Sequence, residues 1–306
     1  MKKKFVVAIY LFALILSACN PKMSAVPEPQ DGKPRVLASN SILADIAQNI
    51  AGDRLKVESL LPLGVDPHAY QPRPADAAKV TESTVLILNG ANYEQVIQPI
   101  LDNAGGQRLV INASAGLTPL SATGAYDQGA ADPHFWLDPN LVIKYVENIR
   151  DGLSKVDPGG ASIYHANADA YIKQLEDLDT WIQSQVDTLT PEKKDLVTNH
   201  ETLGYFADRY KFTIVGEVIS SLSSEASPSA QEMTTLVDKI RSSNATAIFL
   251  DAMDNPKLAE QVAKDAEVKV INDLHLESLT PPDGVAPTYI DMMKYNTGQI
   301  VKTCKG

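Results

Sequence analysis

Three of the five histidines in the chain stand where an apolar stretch gives way to a turn: His68, His134 and His200. Two share a local frame, Asp66-Pro67-His68 and Asp132-Pro133-His134, in which proline fixes φ just before the imidazole and limits how far it can wander. The carboxylate two residues earlier can accept the proton of one ring nitrogen and so fix the tautomer that presents the other. Three neutral imidazoles suit a divalent transition ion, and a fourth group, best a carboxylate that offsets charge, closes the shell. Candidates for it follow the expected strand Val268-Lys269-Val270-Ile271: Asp273, His275 and Glu277, among which spacing does not choose.

The same donors could activate water in a zinc hydrolase. His200-Glu201 opens like an H-E-x-x-H helix, but Gly204 stands where the second histidine belongs. The chain also carries neither a Gly-x-Ser-x-Gly elbow nor a P-loop. It is therefore read as a binder and not an enzyme. A surface adhesin with a structural metal is a further reading. A closed structural site resists exchange, whereas a transport site exchanges its ion and leaves a folded apo protein.

Ligand posts of this kind need rigid elements beneath them. From Arg35 onward, short apolar runs alternate with amphipathic stretches: Val36-Leu37-Ala38, Ile42 to Ile50, Val57 to Leu61, Ala75 to Val80 and Val85 to Leu88. This is βαβ rhythm. Val85-Leu86-Ile87-Leu88 and Ala247-Ile248-Phe249-Leu250 are apolar throughout, as strands covered on both faces must be. In such sheets, ligands bind in the crevice outside the strand carboxyl ends.

Between Ser162 and Leu189, Tyr164, Ala168, Tyr171, Leu175, Leu178, Ile182, Val186 and Leu189 recur at spacings of three and four with no Gly or Pro between them. One helix of about 42 Å follows. Pro158-Gly159-Gly160 and Thr190-Pro191 punctuate its ends. Beyond it, Val197-Thr198-Asn199-His200-Glu201 echoes Leu37-Ala38-Ser39-Asn40-Ser41. The expected fold is α/β, with two lobes that are each a mainly parallel sheet with flanking helices, bridged by one long rigid helix. Residues 35–160 form the first lobe, 161–190 the linking helix and 191–306 the second lobe. Roughly 270 residues is more than one core usually organises.

At the N-terminus, Lys2, Lys3 and Lys4 precede an apolar run from Phe5 to Leu16, which stops at Leu16-Ser17-Ala18-Cys19. The pattern is a lipoprotein signal peptide over residues 1–18 with lipid on Cys19, its apolar run too short to span a bilayer. Residues 19–34 are polar and hold Pro21, Pro27, Pro29 and Pro34, a composition for a tether. Without the first 18 residues the chain has 24 basic against 38 acidic side chains, a net of −14, which argues against nucleic acid as a partner. If Cys19 is acylated, Cys304 is left without a disulfide partner near a fraying C-terminus.

Four segments together carry a resemblance: Gly64-Val65-Asp66-Pro67-His68-Ala69-Tyr70 with Pro72, Asp132-Pro133-His134-Phe135-Trp136-Leu137-Asp138-Pro139, Asn199-His200-Glu201-Thr202-Leu203-Gly204-Tyr205-Phe206 and Pro287-Thr288-Tyr289-Ile290-Asp291-Met292-Met293. The chain, over nearly all its length from Cys19, resembles the zinc- and manganese-specific solute-binding proteins of ABC transporters. The resemblance implies two α/β lobes bridged by one rigid helix, with limited lobe motion. It implies Zn2+ or Mn2+ as transported ligand, held by His68, His134, His200 and the Glu277 of Glu277-Ser278-Leu279. The family usually has aspartate where Glu277 stands, which keeps Asp273 as the alternative fourth ligand. It implies an ABC permease as partner and a monomer outside the cytoplasm, at the cell surface or in the periplasm, anchored by its N-terminal lipid alone. Release of the ion would depend on rearrangement of the loop from Leu274 to Pro287. Three imidazoles and one carboxylate favour zinc over manganese, whose sites more often include a second carboxylate. Zinc importers of this type often carry a histidine-rich loop where this chain has Ser121 to Ala131, which contains no histidine and so weakens that preference without reversing it.

Overall fold

The computed structural model describes residues 32–306, so the expected signal peptide, Cys19 and the tether up to residue 31 lie outside the described residues. The first half runs β1 (Val36–Ala38), α1 (Ser41–Ala51), β2 (Val57–Ser59), α2 (Pro74–Glu82), β3 (Val85–Leu88), α3 (Gln98–Asn103), β4 (Leu109–Asn112) and α4 (Pro139–Val156). The long helix α5 (Ala161–Val186) follows. The second half runs β5 (Asp195–Thr198), α6 (Gly204–Tyr210), β6 (Thr213–Glu217), α7 (Ala230–Arg241), β7 (Ala247–Asp251), α8 (Lys257–Ala266), β8 (Lys269–Leu274) and α9 (Tyr289–Lys305).

Both sheets are parallel and four-stranded. Their orders are β2-β1-β3-β4 and β6-β5-β7-β8, so the second repeats the first. Helices cover both faces, which is why the inner strands can be wholly apolar: β7 is buried at every position and β3 at all but its last. Chain direction is set locally at α1, where the Asn40 side chain accepts the Leu43 N–H at 2.8 Å and Gly52, at φ 55°, ends the helix.

Helix α5 buries Tyr164, Ala168, Tyr171, Leu175, Leu178, Ile182 and Val186, the stripe read from spacing. Its 26 residues span about 39 Å. It stops short of Leu189, which packs as a buried residue from the following turn. At its start, Asp157 accepts two bonds of 2.8 Å from Arg54 and one of 2.5 Å from the Tyr164 hydroxyl, pinning the α4–α5 junction to the end of α1.

One apolar core joins the halves. It runs from α1 through α4 and α5 to α9 and takes in Leu196 and Phe249 of the second sheet. Smaller cores lie elsewhere on each sheet, around Leu37, Leu60, Val80 and Leu86 in the first and around Val197, Ile248, Leu236 and Val262 in the second. Helix α9 packs along α5 and reaches α1, so the last element of the chain touches the first half. Its end is not frayed as the sequence suggested: Cys304 is 3 % exposed, and burial pushes its thiol up to about 11. No helix among the described residues is long and apolar enough to cross a membrane.

Candidate metal centre

The four groups come from four loops at the strand carboxyl ends. His68 lies in the turn after β2, and His134 ends the long connection from β4 to α4. His200 follows β5, and Glu277 follows β8. The His134 connection closes on itself through the Ser121–Ala131 bridge and then straps across to the second half. There the Thr123 N–H donates to Glu201 at 2.9 Å, the Tyr126 hydroxyl to the Ser227 carbonyl at 3.0 Å, and Asp127 accepts Ser221 Oγ at 2.5 Å and the Leu222 N–H at 2.9 Å. The stretch noted for its lack of histidine is thus a clasp between halves.

Glu277 Oε1 lies 3.0 Å from His68 Nε2, 3.0 Å from His134 Nε2 and 3.6 Å from His200 Nε2. All four donor atoms lie within 4.8 Å of one another. A tetrahedral zinc shell with bonds near 2.0 to 2.1 Å separates its donors by about 3.3 Å, so this set needs only a small outward step to surround an ion. Burial is deep: His134 is 0 %, His200 2 % and Glu277 3 % exposed, whereas the His68 side chain retains 12 %. Solvent therefore reaches the cluster past His68. Both ring nitrogens of His200 lack hydrogen-bond partners, so the Nε2 that faces Glu277 at 3.6 Å is available to an ion.

Charge within the cluster is coupled. Burial works against a charged His134, but Asp132 and then Glu277 outweigh it and raise the imidazole to about 9. His200 is raised too, burial again opposing and Glu277 prevailing. Burial would lift Glu277, yet the three imidazoles hold it well below the usual carboxylate range. An incoming cation must displace protons from these rings.

Each post is braced. Asp132 accepts from His134 at both the ring Nδ1 (2.8 Å) and the backbone N–H (2.9 Å), which fixes the tautomer that points Nε2 inward. Asp66 acts differently from the sequence expectation. Its Oδ1 takes the His68 backbone N–H at 2.8 Å and its Oδ2 the Ser224 hydroxyl of the second half at 2.6 Å.

The Glu277 segment is held from both halves. Asp251 Oδ2 accepts the Leu276 N–H at 2.5 Å and the Glu277 N–H at 3.2 Å. The Trp136 indole donates to the Leu276 carbonyl at 2.7 Å, the Gly64 N–H to Ser278 Oγ at 2.9 Å and the Leu279 N–H to Ser41 Oγ at 3.0 Å. Burial raises the Asp251 carboxyl to about 7, against the pull of those backbone donors.

Asp273 is not in this cluster. Strand β8 extends to Leu274, so Asp273 does not follow the strand but lies within it, and its Oδ2 accepts the Tyr295 hydroxyl at 2.9 Å and the Gln299 amide at 2.7 Å from α9. His275 likewise faces α9, its ring against Tyr295 at 5.7 Å. Sequence reasoning missed Asp251, although an acid closing the apolar run Ala247–Leu250 at a carboxyl end was a usable signal. It gave Trp136 no role of its own, and nothing local announces its bond to Leu276.

The family profile described as zinc-uptake complex component A, periplasmic, matches residues 36–303. The manganese-binding lipoprotein MntA of Halalkalibacterium halodurans is 34% identical over 303 residues, 98% of each chain. The manganese ABC transporter substrate-binding lipoprotein scaA of Streptococcus gordonii is 30% identical over 312 residues, again 98% of each. Among solved structures, the Mn-bound periplasmic metal binding protein from Candidatus Liberibacter asiaticus is similar at a TM-score of 0.79 and 30% identity, covering 89% of this chain and 100% of that one. The periplasmic zinc binding protein TroA from Treponema pallidum is similar at 0.81 and 27%, covering 89% and 99%.

Proposed function

The chain belongs to the family of periplasmic zinc-uptake component A proteins, metal-binding components of ABC importers rather than enzymes, and from that premise we propose which residues hold the ion and which ion it is. The ligands are His68, His134, His200 and Glu277, in the cleft between the halves. The observation that carries this is the convergence of their donor atoms from four separate loops to within 4.8 Å. The cargo is zinc, because three imidazoles and one carboxylate make the tetrahedral shell that zinc prefers. Manganese is the second reading, favoured by what the similar lipoproteins of Halalkalibacterium halodurans and Streptococcus gordonii are named for.

The protein hands this ion to the permease of its transporter as a monomer outside the cytoplasm, held by lipid on Cys19 after removal of residues 1–18. Residues 35–160 and 191–306 act as lobes about the helix 161–190, with 19–34 as tether. Metal content of protein purified without added metal, followed by competition between zinc and manganese, tests the reading. His68→Ala and Glu277→Ala should each abolish stoichiometric uptake by chelated, reloaded protein. Unchanged uptake by both variants would refute the ligand set. A chelated protein that stays folded and reloads separates a transport site from the structural metal of an adhesin.

A further inference from the structure

Beside the four candidate ligands lie two buried donors with no partner. Tyr93 is 6 % and Asn40 2 % exposed, and neither the Tyr93 hydroxyl nor the Asn40 Nδ2 has a hydrogen-bond partner. The Asn40 Oδ1 is already engaged in capping α1. Buried donors left unmatched destabilise a fold and are uncommon, so a pair of them together calls for an acceptor that arrives with the functional state.

The construction around Tyr93 is elaborate. Two non-glycine residues before it, Ala91 and Asn92, adopt left-handed backbone at φ 50° and 65°. The next residue, the buried Glu94, ties the turn down by accepting the Asn89 N–H at 2.6 Å, the Gly90 N–H at 3.1 Å and Ser39 Oγ at 2.9 Å. The result sets the Tyr93 ring edge-on to His68, with centroids 6.3 Å apart, and to Trp136 at 5.1 Å. Burial first, and then the charge of Glu277, push the Tyr93 hydroxyl well above the usual phenol range. The neighbouring Asn40 amide pulls it the other way. All three imidazoles meet Glu277 through Oε1, which leaves Oε2 as the acceptor on that carboxylate.

We propose that Tyr93 determines the preference of the centre between zinc and manganese, its hydroxyl, backed by Asn40, donating to Glu277 Oε2 in the loaded protein and so confining that carboxylate to one-oxygen ligation. The inference rests on the metal reading above. A carboxylate that ligates through one oxygen gives four donors with the three imidazoles, the shell zinc adopts. One that ligates through both gives five with more oxygen character, which suits manganese better.

The test compares wild type, Tyr93→Phe and Asn40→Ser in the full chain, serine keeping a cap for α1. For Tyr93→Phe the expected result has opposite signs in two measurements. The chelated protein melts at the same or a higher temperature, because the hydroxyl removed had no partner. Zinc binding weakens about tenfold while manganese binding holds or tightens, the scale of a change in what orients a ligand. Bound Co2+ should lose the strong visible absorption of four-coordination. Asn40→Ser should shift the zinc-to-manganese ratio less, in the same direction.

Equal changes in zinc and manganese affinity with an unaltered cobalt spectrum, or no change at all, would overturn the role of Tyr93. If wild type binds metal and His68→Ala does not, that failure touches Tyr93 alone. Wild type that takes up neither ion overturns the metal reading and this inference with it.

Discussion

At the scale of single residues, the ion-free centre is a proton store. Because His134 in the folded chain is raised to about 9 from an ordinary 6.5, its charged form stabilises the ion-free fold. That contribution is complete below about 6.5 and is lost as pH climbs through about 9. Chelated protein should therefore melt at progressively lower temperature across this window, while metal affinity rises over the same window as the competing proton leaves. Calorimetric titration in buffers of different ionisation enthalpy should show at least one proton released per ion well below pH 9, His134 being joined by His200, and an affinity that ignores pH would contradict the coupling. Asp251 makes a separate prediction. Asp251→Ala strands the N–H groups of Met253, Leu276 and Glu277, partly offset by losing a carboxylate that burial disfavours. Urea denaturation of the chelated protein should register a loss of about 2 kcal/mol, and Asp251→Asn, which keeps an acceptor oxygen, should recover most of it. The three histidines were legible because Asp-Pro-His frames and strand ends are local signals. Tyr93 and Asn40 were not, since their meaning lies in missing partners, and Asp251 offered only its place at the end of an apolar strand, its bonds to Leu276 and Glu277 reaching 25 and 26 positions along the chain.

At the scale of elements, period carried most of the information. The stripe from Tyr164 to Val186 gave α5 its length and its buried face, and continuous apolarity gave β3 and β7 their two-sided cover. Errors fell where a distant element decides. Strand β8 continues through Asn272 and Asp273, poor strand formers, because Tyr295 and Gln299 of α9 hold Asp273 in place. The C-terminal turn around Cys304 is likewise secured by packing with the shared core rather than by its own sequence. Helix α5 should be costly to hollow out. Leu175, fully buried in the shared core, should lose about 3 kcal/mol on replacement by alanine, measured by denaturant unfolding. A loss below about 1 kcal/mol would mean that neighbours collapse into the gap and that α5 is less rigid than its packing indicates.

At the scale of the whole molecule, a core continuous from α1 to α9 joins two sheets of identical strand order. Halves that share a core are expected to move and melt together. Small-angle scattering of chelated and metal-loaded protein should give the same radius of gyration within error, and calorimetry of the chelated form a single transition. Two separated transitions would show that the shared core does not couple the halves. The division of donors has a further consequence. The first half contributes His68 and His134, the second His200 and Glu277. On the proposed ligand set neither pair completes the shell by itself, so an ion would be retained only once both portions have matured and met. Occupancy would thereby certify assembly, and a half-built or cleaved molecule would forfeit the ion instead of hoarding it.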